Sequence, residues 1–226
     1  GAVIAALAGL WIYVSATATP LHPSPQAVAS VTHAATAAKW APAVERARQV
    51  VRAGVAEQNL PGLSVAVGIG GAIVWAEGFG FADLEKKTAV EPGTTFRIGT
   101  ATIPLTSAAV GLLIDRGRLT LDDVIQKHVP EFPEKAWPVT LRQVMGHLAG
   151  IRSDGGDESP MYAEHCNRPI DALRMFADGS LRFEPGTQFQ VSRFGFILVS
   201  AAVEAGGGEP FMTFMGRQMF EALGMG

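Results

Sequence analysis

The chain has 226 residues, of which 48% are hydrophobic and 17% charged, with a formal net charge of −3 and a single cysteine. A chain this apolar can bury a core, which excludes a disordered or solvating polypeptide, and its length predicts one domain or one domain plus an appendage. The mild negative charge gives no electrostatic footprint for nucleic acid, and one cysteine excludes an internal disulfide framework or a cysteine-cluster metal site.

From Gly1 to Ala38 there is no Lys, Arg, Asp or Glu, and Gly1 to Val14 is almost wholly apolar. Continued as a helix to Ala18, the segment would reach about 27 Å, just short of the roughly 30 Å hydrocarbon core of a bilayer. Trp11 and Tyr13 stand where an aromatic belt would place them, and Pro20 and Pro23 stop any helix. The expectation is a retained membrane anchor over residues 1–19. Ala16-Thr17-Ala18 also fits a signal-peptide cleavage pattern, and a buried apolar helix is the third reading. Residues 20–39, small, polar and aperiodic, read as a tether, with His22 and His33 as solvated bystanders.

The globular part is expected over 40–226. Val44, Ala47, Val51 and Val55, with Glu45, Arg46, Arg48 and Arg52 between them, predict an amphipathic helix from Trp40 to Gln58. Leu63 to Gly80 reads as two β-rich runs joined at Gly70-Gly71, a hairpin signature. It is not a dinucleotide fingerprint, because Ile73 replaces the third glycine and a strand follows where a helix is required. Leu105 to Arg116, preceded by Pro104 and closed by Gly117, predicts a helix. Further helices are expected over Thr140–His147, Ile170–Phe176 and Phe194–Ala205, with a β-rich step after the turn at Phe183–Thr187. Helix, hairpin, then a mostly helical stretch argues an α+β fold.

Phe96-Arg97-Ile98-Gly99 leading into Thr100, then Leu119-Thr-Leu-Asp-Asp123, resembles the serine β-lactamase and penicillin-binding-protein family. His128 to Lys135 and Val139 to Arg152 are similar to the mitochondrial-type serine β-lactamase-like proteins, and Phe183–Thr187 and Leu223–Met225 match further landmarks. The resemblance runs from about Trp40 to the last residue. It implies a β-lactamase/transpeptidase-like fold, an antiparallel sheet plus a helical subdomain, whose C-terminal strands would lie beyond residue 226. It also implies hydrolysis of acyl compounds by three motifs: S-x-x-K, in which a serine attacks while a lysine one turn on handles its proton; Y-x-N; and a K-T-G-like strand.

Here the first motif reads Thr100-Ala101-Thr102-Ile103 and the second Val191-Ser192-Arg193. The alcohol survives on a secondary carbon, but amine, phenol and amide are gone, so no catalytic set is intact. A hydroxyl without a base is a poor nucleophile. Arg193, a cation where an amide is expected, would close the pocket on an acidic neighbour or bind an anion. His147 is expected to brace its turn. Glu164-His165-Cys166 and Asp154-Gly-Gly-Asp157-Glu158 read as exposed loops rather than metal sites, and the Met and Phe residues of 211–225 as core. No cofactor or metal is expected.

Together, the anchor, the degenerate site and a hairpin without its sheet partners favour a membrane-anchored pseudoenzyme, an accessory subunit of a membrane complex. Its domain would lie outside the bacterial cytoplasm or on the mitochondrial inner membrane, with lipid bound through the N-terminal helix, protein partners, and no nucleic acid. The alternative is an active serine-hydrolase-type enzyme (esterase, peptidase or β-lactamase) with an atypical nucleophile.

Overall fold

The computed structural model describes residues 4, 7, 19–152 and 166–225. They fall into two compact units that meet between Arg97 and Ile98.

The first unit is a small antiparallel sheet with one helix. Strand β1 (Ser30–Val31) is followed by α1 (Ala41–Glu57), β2 (Gly62–Ile69), β3 (Ala72–Asp83) and β4 (Thr88–Ala89). The long β3 pairs with all three other strands, in the order β1-β3-β2 with β4 also on β3. Gly70 and Gly71 both have positive φ, +60° and +78°, the mirror-image turn whose twist suits a two-residue hairpin. The hairpin is therefore where the sequence puts it. Val44 and Val55 of α1 are buried with Val28, Trp75 and Phe79, so the three- and four-residue spacing does mark the inward face of the helix. Glu77 is buried as well. Both its carboxylate oxygens accept from Arg48 Nε at 2.9 Å, and Trp75 Nε1 donates to Oε2 at 2.8 Å, so the charge is fully partnered.

The stretch read as a tether contributes to this unit. A 3-10 turn at Pro25–Ala27 precedes β1, which pairs Ser30 with Phe79 and Val31 with Gly78. Val28 is buried. His22, expected to be solvated, is also buried; its Nε2 lies 3.0 Å from the Leu60 carbonyl and its ring stacks on Phe81 at 5.8 Å. These partners are 38 and 59 positions away, so local composition could not announce them.

The second unit is helical. A 3-10 turn at Gly99–Ala101 runs into α2 (Thr102–Asp115), so the helix starts three residues before its expected first residue. Pro104 still sits in its first turn, where a missing N–H costs nothing. Short α3 (Leu141–Met145) opens with a reciprocal cap: Thr140 Oγ1 accepts from the Gln143 N–H and Gln143 Oε1 from the Thr140 N–H. Pro169–Met175 is a 3-10 helix rather than the expected α-helix. Then come α4 (Arg193–Gly207) and α5 (Phe211–Phe214), which runs into a π turn at Met215–Phe220. Helix α4 is apolar nearly all round and accordingly buried, with Phe194, Leu198, Val199, Ala202 and Val203 in the core. Phe214, Met215 and Met219 join that core, whereas Met212 and Met225 are exposed. No strand forms among the described residues after Thr187, where a β-rich step was expected.

The membrane helix expected over residues 1–19 lies largely outside the described residues. Among the described residues no helix is long and apolar enough to cross a membrane. A span needs about 20 consecutive apolar residues; α1 has 17 and carries Glu45, Arg46, Arg48, Arg52 and Glu57. The α+β reading stands without that helix. The lipid contact and the single-pass placement in a mitochondrial or bacterial inner membrane rested on it and fall with it.

Candidate functional site

The four residues that motif spacing assigns to catalytic positions, Thr100, Ile103, Val191 and Arg193, all lie in the helical unit. Gly99, at φ +53°, turns the chain into the 3-10 step that carries Thr100. The Ala101 N–H donates to the Ile98 carbonyl at 3.1 Å, and the Thr102 N–H to the Gly99 and Thr100 carbonyls. The Thr100 N–H is left outside the turn's own hydrogen bonds. Thr102 Oγ1 donates to the Gly99 carbonyl at 2.8 Å, which commits that second alcohol to the backbone. Thr100 is exposed, and among the described residues nothing hydrogen-bonds to its hydroxyl. Ile103, one turn on and half-buried, offers only hydrocarbon.

The second motif leads into α4. Ser192 is buried, and its Oγ donates to the Arg152 carbonyl at 2.9 Å while accepting from the Gly195 N–H at 3.2 Å. It is the N-cap of α4, not a nucleophile. Val191 on one side is exposed; Arg193 on the other is half-buried and already engaged. His147 ties this segment to the turn after α3. Its carbonyl accepts from the Gln190 N–H at 3.0 Å, and its Nδ1 from the Ser192 N–H at 3.4 Å. Its ring packs on Phe189 at 6.0 Å and Phe196 at 5.6 Å. Burial lowers the imidazole pKa from its ordinary value, and an accepting Nδ1 places the proton of the neutral ring on Nε2. The bracing role expected of His147 thus has a defined partner, the N-cap of the motif helix.

Chemically, what remains is an alcohol, an adjacent backbone N–H able to meet a developing oxyanion, and, among the described residues, no side-chain base hydrogen-bonded to the alcohol. Among the described residues no group of three or more His, Cys, Asp or Glu could hold a metal. Cys166 is a half-buried free thiol; residues 154–158, 164 and 165 lie outside the described residues. Sequence reasoning passed over one titratable cluster in this unit, Asp123 with Lys127 and His128. The i, i+4, i+5 spacing is its only signal.

The family described as Beta-lactamase matches residues 47–226. The human "Serine beta-lactamase-like protein LACTB, mitochondrial" is 28% identical, over 82% of this chain and 46% of the relative. "Protein flp" of Staphylococcus aureus is 29% identical over 65% of this chain and 30% of its own. The chain therefore spans less than half the length of these curated relatives. Among solved structures, the octameric penicillin-binding protein homologue from Pyrococcus abyssi superposes with a TM-score of 0.71 at 26% identity, covering 80% of this chain and 43% of that one. EstCE1, described as a hydrolase with promiscuous acyltransferase activity, gives 0.69 at 25% identity, covering 80% and 51%. The membrane-anchored accessory subunit is overturned on two sides: its anchor is not among the described helices, and these relatives favour the hydrolase-type alternative.

Proposed function

The chain belongs to the beta-lactamase family, and from that premise we propose that it is a hydrolase-type protein for esters, amides or peptides in which Thr100 serves as an atypical nucleophile. One observation carries the reading: the Thr100 hydroxyl is exposed and, among the described residues, unpartnered beside its own N–H, which is also free of the turn's hydrogen bonds. In the step proposed, Thr100 Oγ1 bonds to the acyl carbon and its proton passes to water. The carbonyl oxygen takes the negative charge beside the Thr100 N–H, and the leaving group departs with a proton from solvent. Water then cleaves the acyl-threonine.

The rate follows from what is absent. In serine hydrolases, loss of the nucleophile or its base costs on the order of 10⁶ in turnover, while oxyanion donors and binding alone retain roughly 10³–10⁴ over water. This site belongs near the lower limit of its family. A second reading, a pseudoenzyme that binds acyl compounds without turning them over, is favoured by the lack, among the described residues, of any titratable partner on the Thr100 hydroxyl.

Hydrolysis of p-nitrophenyl acetate by the protein and by Thr100→Val tests the proposal. Saturable turnover that falls at least tenfold in Thr100→Val, with no acyl-enzyme formed, is the expected result. Turnover that the substitution leaves unchanged would remove Thr100 from the chemistry, and saturable binding with no turnover would favour the second reading.

A further inference from the structure

The helical unit contains a cavity of about 390 Å³ that none of Thr100, Ile103, Val191 or Arg193 lines. It lies between the second half of α4, the turn that follows Ile125–Lys127, and the start of the 3-10 helix at Pro169. Part of its wall is an ion pair that cancels itself. Glu204 is buried; its Oε1 accepts from Arg168 Nε at 2.7 Å and Nη2 at 2.6 Å, and its Oε2 from the Phe211 N–H at 2.9 Å. That carboxylate is saturated by structural bonds.

His128 is not saturated. Its side chain is only 10% exposed, and its Nε2 lies 2.8 Å from Asp123 Oδ2. Lys127 Nζ, 2.7 Å from Asp123 Oδ1, together with His128 and the Thr120 N–H, holds the Asp123 carboxyl well below the usual carboxylate range. A carboxylate only accepts, so in the neutral ring Nε2 carries the proton and Nδ1 is an acceptor. Among the described residues Nδ1 has no partner. A neutral ring oriented by a carboxylate on one nitrogen and unpartnered among the described residues on the other, with the largely buried side chain leaving that second nitrogen open to solvent at the cavity, is a prepared hydrogen-bond acceptor.

The remaining charges lining the cavity are Glu131, exposed, and Glu209, which pairs with Arg217 at 3.1 Å. With Arg168 and Glu204 cancelling, the lining is net negative and rich in acceptors, while Ile170 and Ala201 give it an apolar wall. Too few ligating groups converge for a metal among the described residues. A volume of this size falls in the range of small-molecule sites. The geometry points to a binding site for a small organic cation, a primary ammonium or amidinium on a compact apolar body, donating to His128 Nδ1 and balanced by Glu131. The site is independent of any chemistry at Thr100.

Calorimetric titration with benzylamine, benzyl alcohol and benzoate tests this. Benzylamine is expected to bind saturably, more weakly as salt is raised, and benzoate not at all. Thr100→Val leaves this binding unchanged. His128→Phe, which removes the acceptor, weakens it about tenfold. Glu131→Gln, an exposed substitution that spares the fold, weakens it several-fold. Benzoate binding as tightly as benzylamine, no saturable benzylamine heat up to millimolar concentration, or unchanged affinity in Glu131→Gln would each overturn the assignment.

Discussion

Thr100 differs from a serine by one methyl group and Ile103 from a lysine by its branched carbon chain and the missing amine, and the amine matters more. A methyl on the attacking carbon crowds the approach to a carbonyl, but a missing base leaves the alcohol's proton to be taken by water alone. His147 shows a different kind of residue-scale control. Burial holds its imidazole below the ordinary value, so the unfolded chain takes up the proton first as pH falls. Stability from this group is therefore complete above the unfolded value of about 6.5 and declines below it. Between pH 7.5 and 5.5 the melting temperature of the protein is expected to fall more steeply than that of His147→Gln; equal slopes would mean that the ring does not titrate against the fold.

At the scale of elements, the caps decide where the site helices begin. Ser192 bonds both the Arg152 carbonyl and the Gly195 N–H from a buried position, so Ser192→Ala removes a cap and strands a carbonyl. The expected cost is about 1–3 kcal/mol, read as a melting temperature lower by several degrees; a shift below one degree would show that the cap is replaceable. The elements that the sequence announces are those set by neighbours. Gly70-Gly71 supplies two positive φ angles, Thr140 and Gln143 form a box within four residues, and Val44 and Val55 share a helix face. What stays hidden depends on distant partners: His22 under Phe81, β1 on β3, and the 3-10 rather than α winding of Pro169–Met175. The site was legible in the same divided way. Thr100, Ile103, Val191 and Arg193 rest on motif spacing alone, whereas the Ser192–His147 tie and the acceptor on His128 come from packing between segments.

At the scale of the molecule, the family scaffold is matched, while the positions that motif spacing assigns to proton transfer hold Ile103 and Val191. The match to the Beta-lactamase family covers residues 47–226, and the core of the helical unit is filled by α2, α3, α4 and the Met215–Phe220 turn. On the proposed reading, the alcohol at the head of α2 has, among the described residues, no group that would activate it, and the missing amine limits acylation. Supplying the group tests the account most directly. In Ile103→Lys an amine is placed one helical turn from Thr100, and the acylation rate with p-nitrophenyl acetate is expected to rise about 10²-fold or more, with the gain lost again in Thr100→Val/Ile103→Lys. A folded Ile103→Lys protein that acylates no faster than the parent would contradict the claim that a missing base is what limits Thr100.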